Sequence, residues 1–249
     1  MGLLNKDIFV CLDCETTGLE PDHDQIIEVA ATIFTFGGVI KSMETLIDPG
    51  VPIPEVSTEI HHITNEMVQG KPKIQDVLPD VIKFIGRHII VGHGITTDIA
   101  FLSNAAKKHC IHSNLATHLY IDTLRLARLY GESPINSLEK LRQHFNIADE
   151  GAHRAMSDVT VNIEVFKFLA NSFNTTEQLL ERLKKPIQLK AIPLGKHKGR
   201  PFSQIPIEYL YWASNQNFDQ DLLFSIRSEI KKRKKGNLFG QSSNPFSNL

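Results

Sequence analysis

The sequence predicts an α/β domain, a mixed sheet flanked by helices, with a small basic module after it. Short apolar runs bounded by turn residues, at 8–14, 27–36, 39–47, 89–91 and 119–121, read as strands. Helical spacing of apolar residues appears after position 98 (Ile99, Phe101, Leu102, Ala105, Ala106), through 159–169 and over 175–183. Charge divides the chain a third way. Residues 1–183 hold 15 Lys and Arg against 24 Asp and Glu, a net of −9, while 184–249 hold 12 against 4, a net of +8.

The first strand is apolar until its end, so residues two apart share a face and Asp13 and Glu15 point the same way. They stand just before the turn at Thr16, Thr17 and Gly18. Two like charges at the end of a core strand are costly unless something cationic sits between them, and a divalent metal is the simplest such thing. The strand at 89–91 runs through a turn into a helix that Asp98 opens, where an acid also suits the helix dipole. Residues 153–158, from His153 to Asp158, lead into an apolar helix whose first-turn acid needs a partner. Cys11 and Cys14 form a C-x-x-C, but residues three apart on a strand face opposite sides, which argues against a shared zinc or a redox pair.

Asp13-x-Glu15, Asp98 and His153-x4-Asp158 resemble the three motifs of the DEDD exonucleases, in the subgroup whose last motif carries a histidine. The stretch 120–128 with Asn136, Ser137 and Leu138, and the His61-x-Ile63-Thr64 element, are similar to the proofreading (epsilon) subunits of bacterial DNA polymerase III. The resemblance covers about 8–169. It implies a ribonuclease H-like fold and 3′→5′ hydrolysis of DNA, in proofreading or repair, by a two-metal mechanism. Asp13, Glu15 and Asp158 would share one Mg²⁺ or Mn²⁺, with Asp13 bridging to a second and Asp98 held through water. His153 would take the proton from the attacking water, and Thr16 and His61 would contact substrate. One departure stands in the middle motif: Gly94 replaces the usual asparagine and Thr97 the usual aromatic. Two alternatives stay open, an exoribonuclease trimming RNA 3′ ends and a non-catalytic nucleic-acid-binding or replisome-tethering protein.

The expected division is an exonuclease domain over 1–183, a basic module over 184–235 and a disordered tail over 236–249. The Gly/Pro-punctuated turn at 193–202, the aromatics Tyr209, Tyr211 and Trp212, and a helix over 219–232 resemble the small module appended to exonuclease X-type enzymes. Lys196 and Lys198 would meet phosphates there, and the aromatics would stack on bases or form the module's core. For Trp212 the core is the expectation. The apolar pairs at 238–239 and 245–246 offer docking segments for a replication partner, a polymerase or sliding clamp. No apolar stretch approaches a membrane span and residues 1–7 lack a signal-peptide pattern, so the expected location is the cytoplasm, with single-stranded or frayed DNA 3′ ends as substrate.

Overall fold

The computed structural model describes residues 3–133, 135–148 and 154–241, the last six by backbone alone. The chain divides into two compact units, Met1–Leu183 and Lys184–Leu249.

In the first unit β1 (Phe9–Thr16) lies at the centre of a five-stranded sheet. It pairs antiparallel with β2 (Ile26–Thr35), which pairs antiparallel with β3 (Gly38–Leu46). On its other side β1 pairs parallel with β4 (Ile89–Gly92), and β4 with β5 (Tyr120–Asp122), giving the order β3-β2-β1-β4-β5. The strands fall where the apolar runs predict. β1 extends two residues past the expected end, because β2 pairs with it opposite Asp13 (at Ala30) and Glu15 (at Glu28) before the register shifts.

The helices of this unit are α1 (Glu55–His61), α2 (Asn65–Val68), α3 (Ile74–Ile85), α4 (Thr96–Lys108), α5 (Thr123–Tyr130), α6 (Leu138–His144), α7 (Ala155–Ala170) and α8 (Thr176–Leu183). Alternation along β1 decides which helices cover which face. Phe9 and Cys11 pack with Phe34, Val91 and Ile121 under Val159 and Phe166 of α7. The rings of Phe9, Phe34 and Phe166 meet at centroid distances of 5.2 to 6.0 Å. Val10 and Leu12 pack on the opposite face with Val81 of α3 and Leu102 of α4. Burial of each such side chain stabilises by about 1.5–3 kcal/mol, so the strand's orientation, and that of any residue on it, is firmly set. Cys11 lies in the first cluster and Cys14 packs against the second, so the two thiols face apart as their spacing predicts.

The second unit has a core of its own, in which Ile192, Phe202, Ile205 and Leu210 meet Leu222, Ile226 and Ile230. It contains α9 (Ile207–Ala213) and α10 (Gln220–Gln241). α10 corrects two expectations. The helix continues past position 232, and residues 236–241, expected to be disordered, are helical. Extending a nucleated helix costs far less than starting one, which carries it beyond the strong helix formers at 231–235. The rest of the expected tail, 242–249, lies outside the described residues.

Candidate active site

Asp13 and Glu15 continue the Phe9–Cys11 row by the two-residue period, so both point to the α7 side of β1. The first turn of α7 carries Asp158, whose backbone N–H donates to the carbonyl of Arg154 at 3.0 Å. One oxygen from each of Asp13, Glu15 and Asp158 lies within 4.8 Å of the other two, and all three residues are partly exposed. Asp98 approaches from the other face, in the first turn of α4, and its Oδ1 accepts the backbone N–H of Cys14 at 3.0 Å. That bond ties the fourth acid to the peptide between the two β1 acids.

The carboxylates crowd one another, and their electrostatics show it. Burial, then the charges of Asp98, Glu15 and Asp158, hold the Asp13 carboxyl well above its ordinary value. Glu15 is pushed up to about 8 by burial and by the Asp158 and Glu28 charges. Asp98 is raised to about 7, chiefly by burial, against hydrogen bonds that oppose the shift. Clustered carboxylate oxygens that repel one another are the donor set a hard divalent ion satisfies, so these residues fit the metal the resemblance implies. In metal-free protein Glu15 and Asp98 bind protons in the folded state up to pH about 7–8, and Asp13 is shifted the same way, while the unfolded chain has released its carboxyl protons by about pH 5. Their contribution to stability is therefore lost as pH rises through that window. The expected result is that Tm in chelator falls between those pH values more steeply than in Asp13→Ala, and that Mg²⁺ raises Tm more at the upper pH. Thermal melts of both proteins across pH check it, and parallel curves would refute it.

Two residues that the sequence reading passed over complete the site. Glu28 stands directly opposite Glu15 on β2, fully buried, where two like charges alone would destabilise the pairing. Arg154 resolves this: its Nε lies 3.2 and 3.1 Å from the two Glu28 oxygens, and Nη2 bonds the same carboxylate. The carboxylate also accepts the N–H of Ala155 at 3.1 Å, at the open N-terminus of α7. An acid inside the apolar run at 26–31 was the signal available.

The remaining expected residues fare differently. His153 lies outside the described residues, which begin again at Arg154. The Thr16 hydroxyl donates to the Gly18 carbonyl at 2.6 Å and so closes the turn after β1. Gly18 is needed there because a Cβ would sit 2.4 Å from an Asp24 oxygen, and Asp24 holds the turn through Thr17 and Glu20. His61, expected at the substrate, is buried instead. Its Nδ1 accepts the N–H of Ile63 at 3.0 Å, and Nε2 is enclosed without a hydrogen-bond partner. The H-x-I-T element turns inward because Ile63 must fill the core with Ile27 and Ile53. Gly94 adopts φ +71° and its N–H donates to Asp122 Oδ1 at 2.9 Å. A Cβ there would meet only Leu124, at 4.0 Å, so the missing asparagine was not excluded for lack of space. Lys196 and Lys198 belong to the second unit and are exposed.

A family model described as Exonuclease (RNase_T) matches residues 10–166, which take in the four acids and, apart from Phe9, all five strands. The epsilon subunit of DNA polymerase III from Aquifex aeolicus is 33% identical over 159 residues, covering 64% of this chain and 78% of that protein. The PolC-type DNA polymerase III of Clostridium perfringens is 33% identical over 196 residues, 76% of this chain but 13% of that much longer protein. Among solved structures, exonuclease X bound to 5′-overhanging duplex DNA matches with 25% identity and a TM-score of 0.53, covering 70% of this chain and 98% of that one. Exonuclease I of E. coli with a dA16 oligonucleotide shares the fold at 20% identity and a TM-score of 0.61, over 72% of this chain and 43% of that one. This chain belongs to the exonuclease family and has its ribonuclease H-like fold. A second family model, named for a quorum-sensing-regulated virulence factor, matches residues 177–230. Among the described residues no helix is long and apolar enough to cross a membrane.

Proposed function

We propose that this protein is a metal-dependent 3′→5′ exonuclease that removes nucleotides from single-stranded or frayed DNA 3′ ends in proofreading or repair. The observation that carries this is the convergence of Asp13, Glu15 and Asp158 at the end of β1, with Asp98 tied to the same strand end, in a chain of the exonuclease family. Asp13, Glu15 and Asp158 would hold one divalent ion, Mg²⁺ or Mn²⁺, with Asp13 reaching a second and Asp98 acting through water. Such ions supply Lewis-acid activation of water and neutralise charge on the phosphate. Hard carboxylate oxygens favour Mg²⁺ or Mn²⁺ over Zn²⁺. His153 accepts the proton of the attacking water, a task for which imidazole is the side chain suited near neutral pH. In this reading residues 1–183 form the catalytic domain and 184–235 the basic module, where Lys196 and Lys198 bind phosphates. The working location is the cytoplasm, beside a polymerase or sliding clamp.

The test is digestion of matched single-stranded DNA and RNA oligomers labelled at the 5′ end, in Mg²⁺, in Mn²⁺ and in chelator. A ladder shortened from the 3′ end, dependent on metal and faster on DNA, is expected. Faster digestion of RNA would make the protein an exoribonuclease, and binding without digestion would make it a tethering protein. In the same assay His153→Ala should lower turnover by about 10²–10⁴ and flatten the pH–rate profile around neutrality, as loss of a general base does. Unchanged turnover would remove His153 from the mechanism.

A further inference from the structure

Two neighbouring aromatics of α9 stay outside the core of the second unit. Leu210 and Ala213 of α9 are buried among α10 residues, while Tyr211 and Trp212, between them, are 42% and 52% exposed. This reverses the expectation that Trp212 serves as core: in a seven-residue helix, positions 210 and 213 take the inward face and turn 211 and 212 away. The exposed rings have aromatic and cationic neighbours. The Tyr209 ring lies 5.2 Å from that of Trp212 and 4.6 Å from that of His197. The Lys196 ammonium sits 5.3 Å over Tyr209, and Lys234 of α10 sits 5.5 Å over Tyr211.

The charges around this surface are unevenly engaged. Of the unit's four acids, Asp221 is buried and accepts the N–H of Ile187, Asp219 accepts the N–H groups of Asp221 and Leu222, and Glu229 pairs with Arg233, while Glu208 is exposed in the first turn of α9. The lysines at 196, 198, 231, 232, 234 and 235 are exposed. Paired aromatic faces with ammonium groups beside them match stacked bases and phosphates, and the exposed lysines outnumber Glu208, the exposed acid of the same helix.

We propose that the Tyr211–Trp212 surface, with Lys196 and Lys234 at its sides, binds single-stranded nucleic acid without regard to sequence. Bases stack on the two rings and phosphates lie against the ammonium groups. The site rests on the exonuclease reading for its purpose, which is to hold the strand being shortened, but its binding is measurable apart from catalysis.

The chain has one tryptophan, so its intrinsic fluorescence reports on Trp212 alone. Full-length protein in chelator, which prevents digestion, is titrated with oligothymidylate. Saturable quenching is expected, weakening as salt rises. Tyr211→Ala should raise Kd by about 5- to 150-fold, the loss of one stacked base, while Tyr211→Phe stays near wild type. Lys234→Ala should lower the slope of log K against log[salt] by about 0.7. If anisotropy of a labelled strand shows binding but Trp212 fluorescence does not change, the proposal is overturned. Equal affinity of Tyr211→Ala and wild type overturns it as well. Digestion by the wild-type protein is scored separately: quenching with no digestion would sink the exonuclease reading and leave this site standing, and digestion with no quenching the reverse.

Discussion

Asp13→Ala should reduce hydrolysis to background while leaving a protein that melts no lower, and without metal somewhat higher, than wild type. The two halves of this result have one cause. Asp13 stands among Asp98, Glu15, Asp158 and Glu28, and burial together with those charges works against its ionised form. Its replacement relieves repulsion that only a cation offsets, so the fold gains what the active site loses. Transition-state stabilisation by bound metal is worth several kcal/mol, so turnover should fall by about 10³-fold or more. Measuring turnover with saturating oligomer in Mg²⁺ beside a melt in chelator reads both effects from one preparation. Near-normal turnover would show that the cluster does not hold the catalytic metal. A sharply lowered melting temperature would show that Asp13 is structural.

Most of this site was legible in the sequence because it is built on periodicity. The alternation of 9, 11, 13 and 15 puts both β1 acids on the α7 side, and that follows from the apolar run alone. The turn into α4 likewise places Asp98 at a helix start, where the structure has it. What sequence could not supply were contacts between distant segments. Glu28 and Arg154 are separated by 126 positions, and only the folded sheet shows that Glu28 lies opposite Glu15 and beneath the start of α7. The inward turn of His61 is of the same kind, since it depends on Ile63 packing with Ile27 and Ile53. The exposure of Trp212 is hidden from the sequence for another reason. α9 is two turns long, too short for hydrophobic spacing to reveal which face is buried.

The Glu28–Arg154 pair leads to the second large effect. Arg154 immediately follows His153 in the chain and precedes α7, the helix that carries Asp158, so it anchors the backbone between the two. Its fork of donors on the Glu28 carboxylate fixes that anchor to β2, and the same carboxylate receives the N–H of Ala155. Arg154→Ala leaves a fully buried carboxylate without its cation, a loss of about 3 kcal/mol, and frees the start of α7. Arg154→Lys should recover part of the stability but little of the activity, because a single ammonium cannot reproduce the two-point contact. The double variant Glu28→Gln/Arg154→Met separates the two roles. It removes both charges, keeps an acceptor for Ala155, and should melt within about 1 kcal/mol of wild type, since replacing both partners of a buried pair is often close to neutral. If the pair positions the catalytic groups, turnover of this stable double variant stays at least tenfold down with KM little changed. Recovery of turnover along with stability would reduce the ion pair to a fastening of the fold.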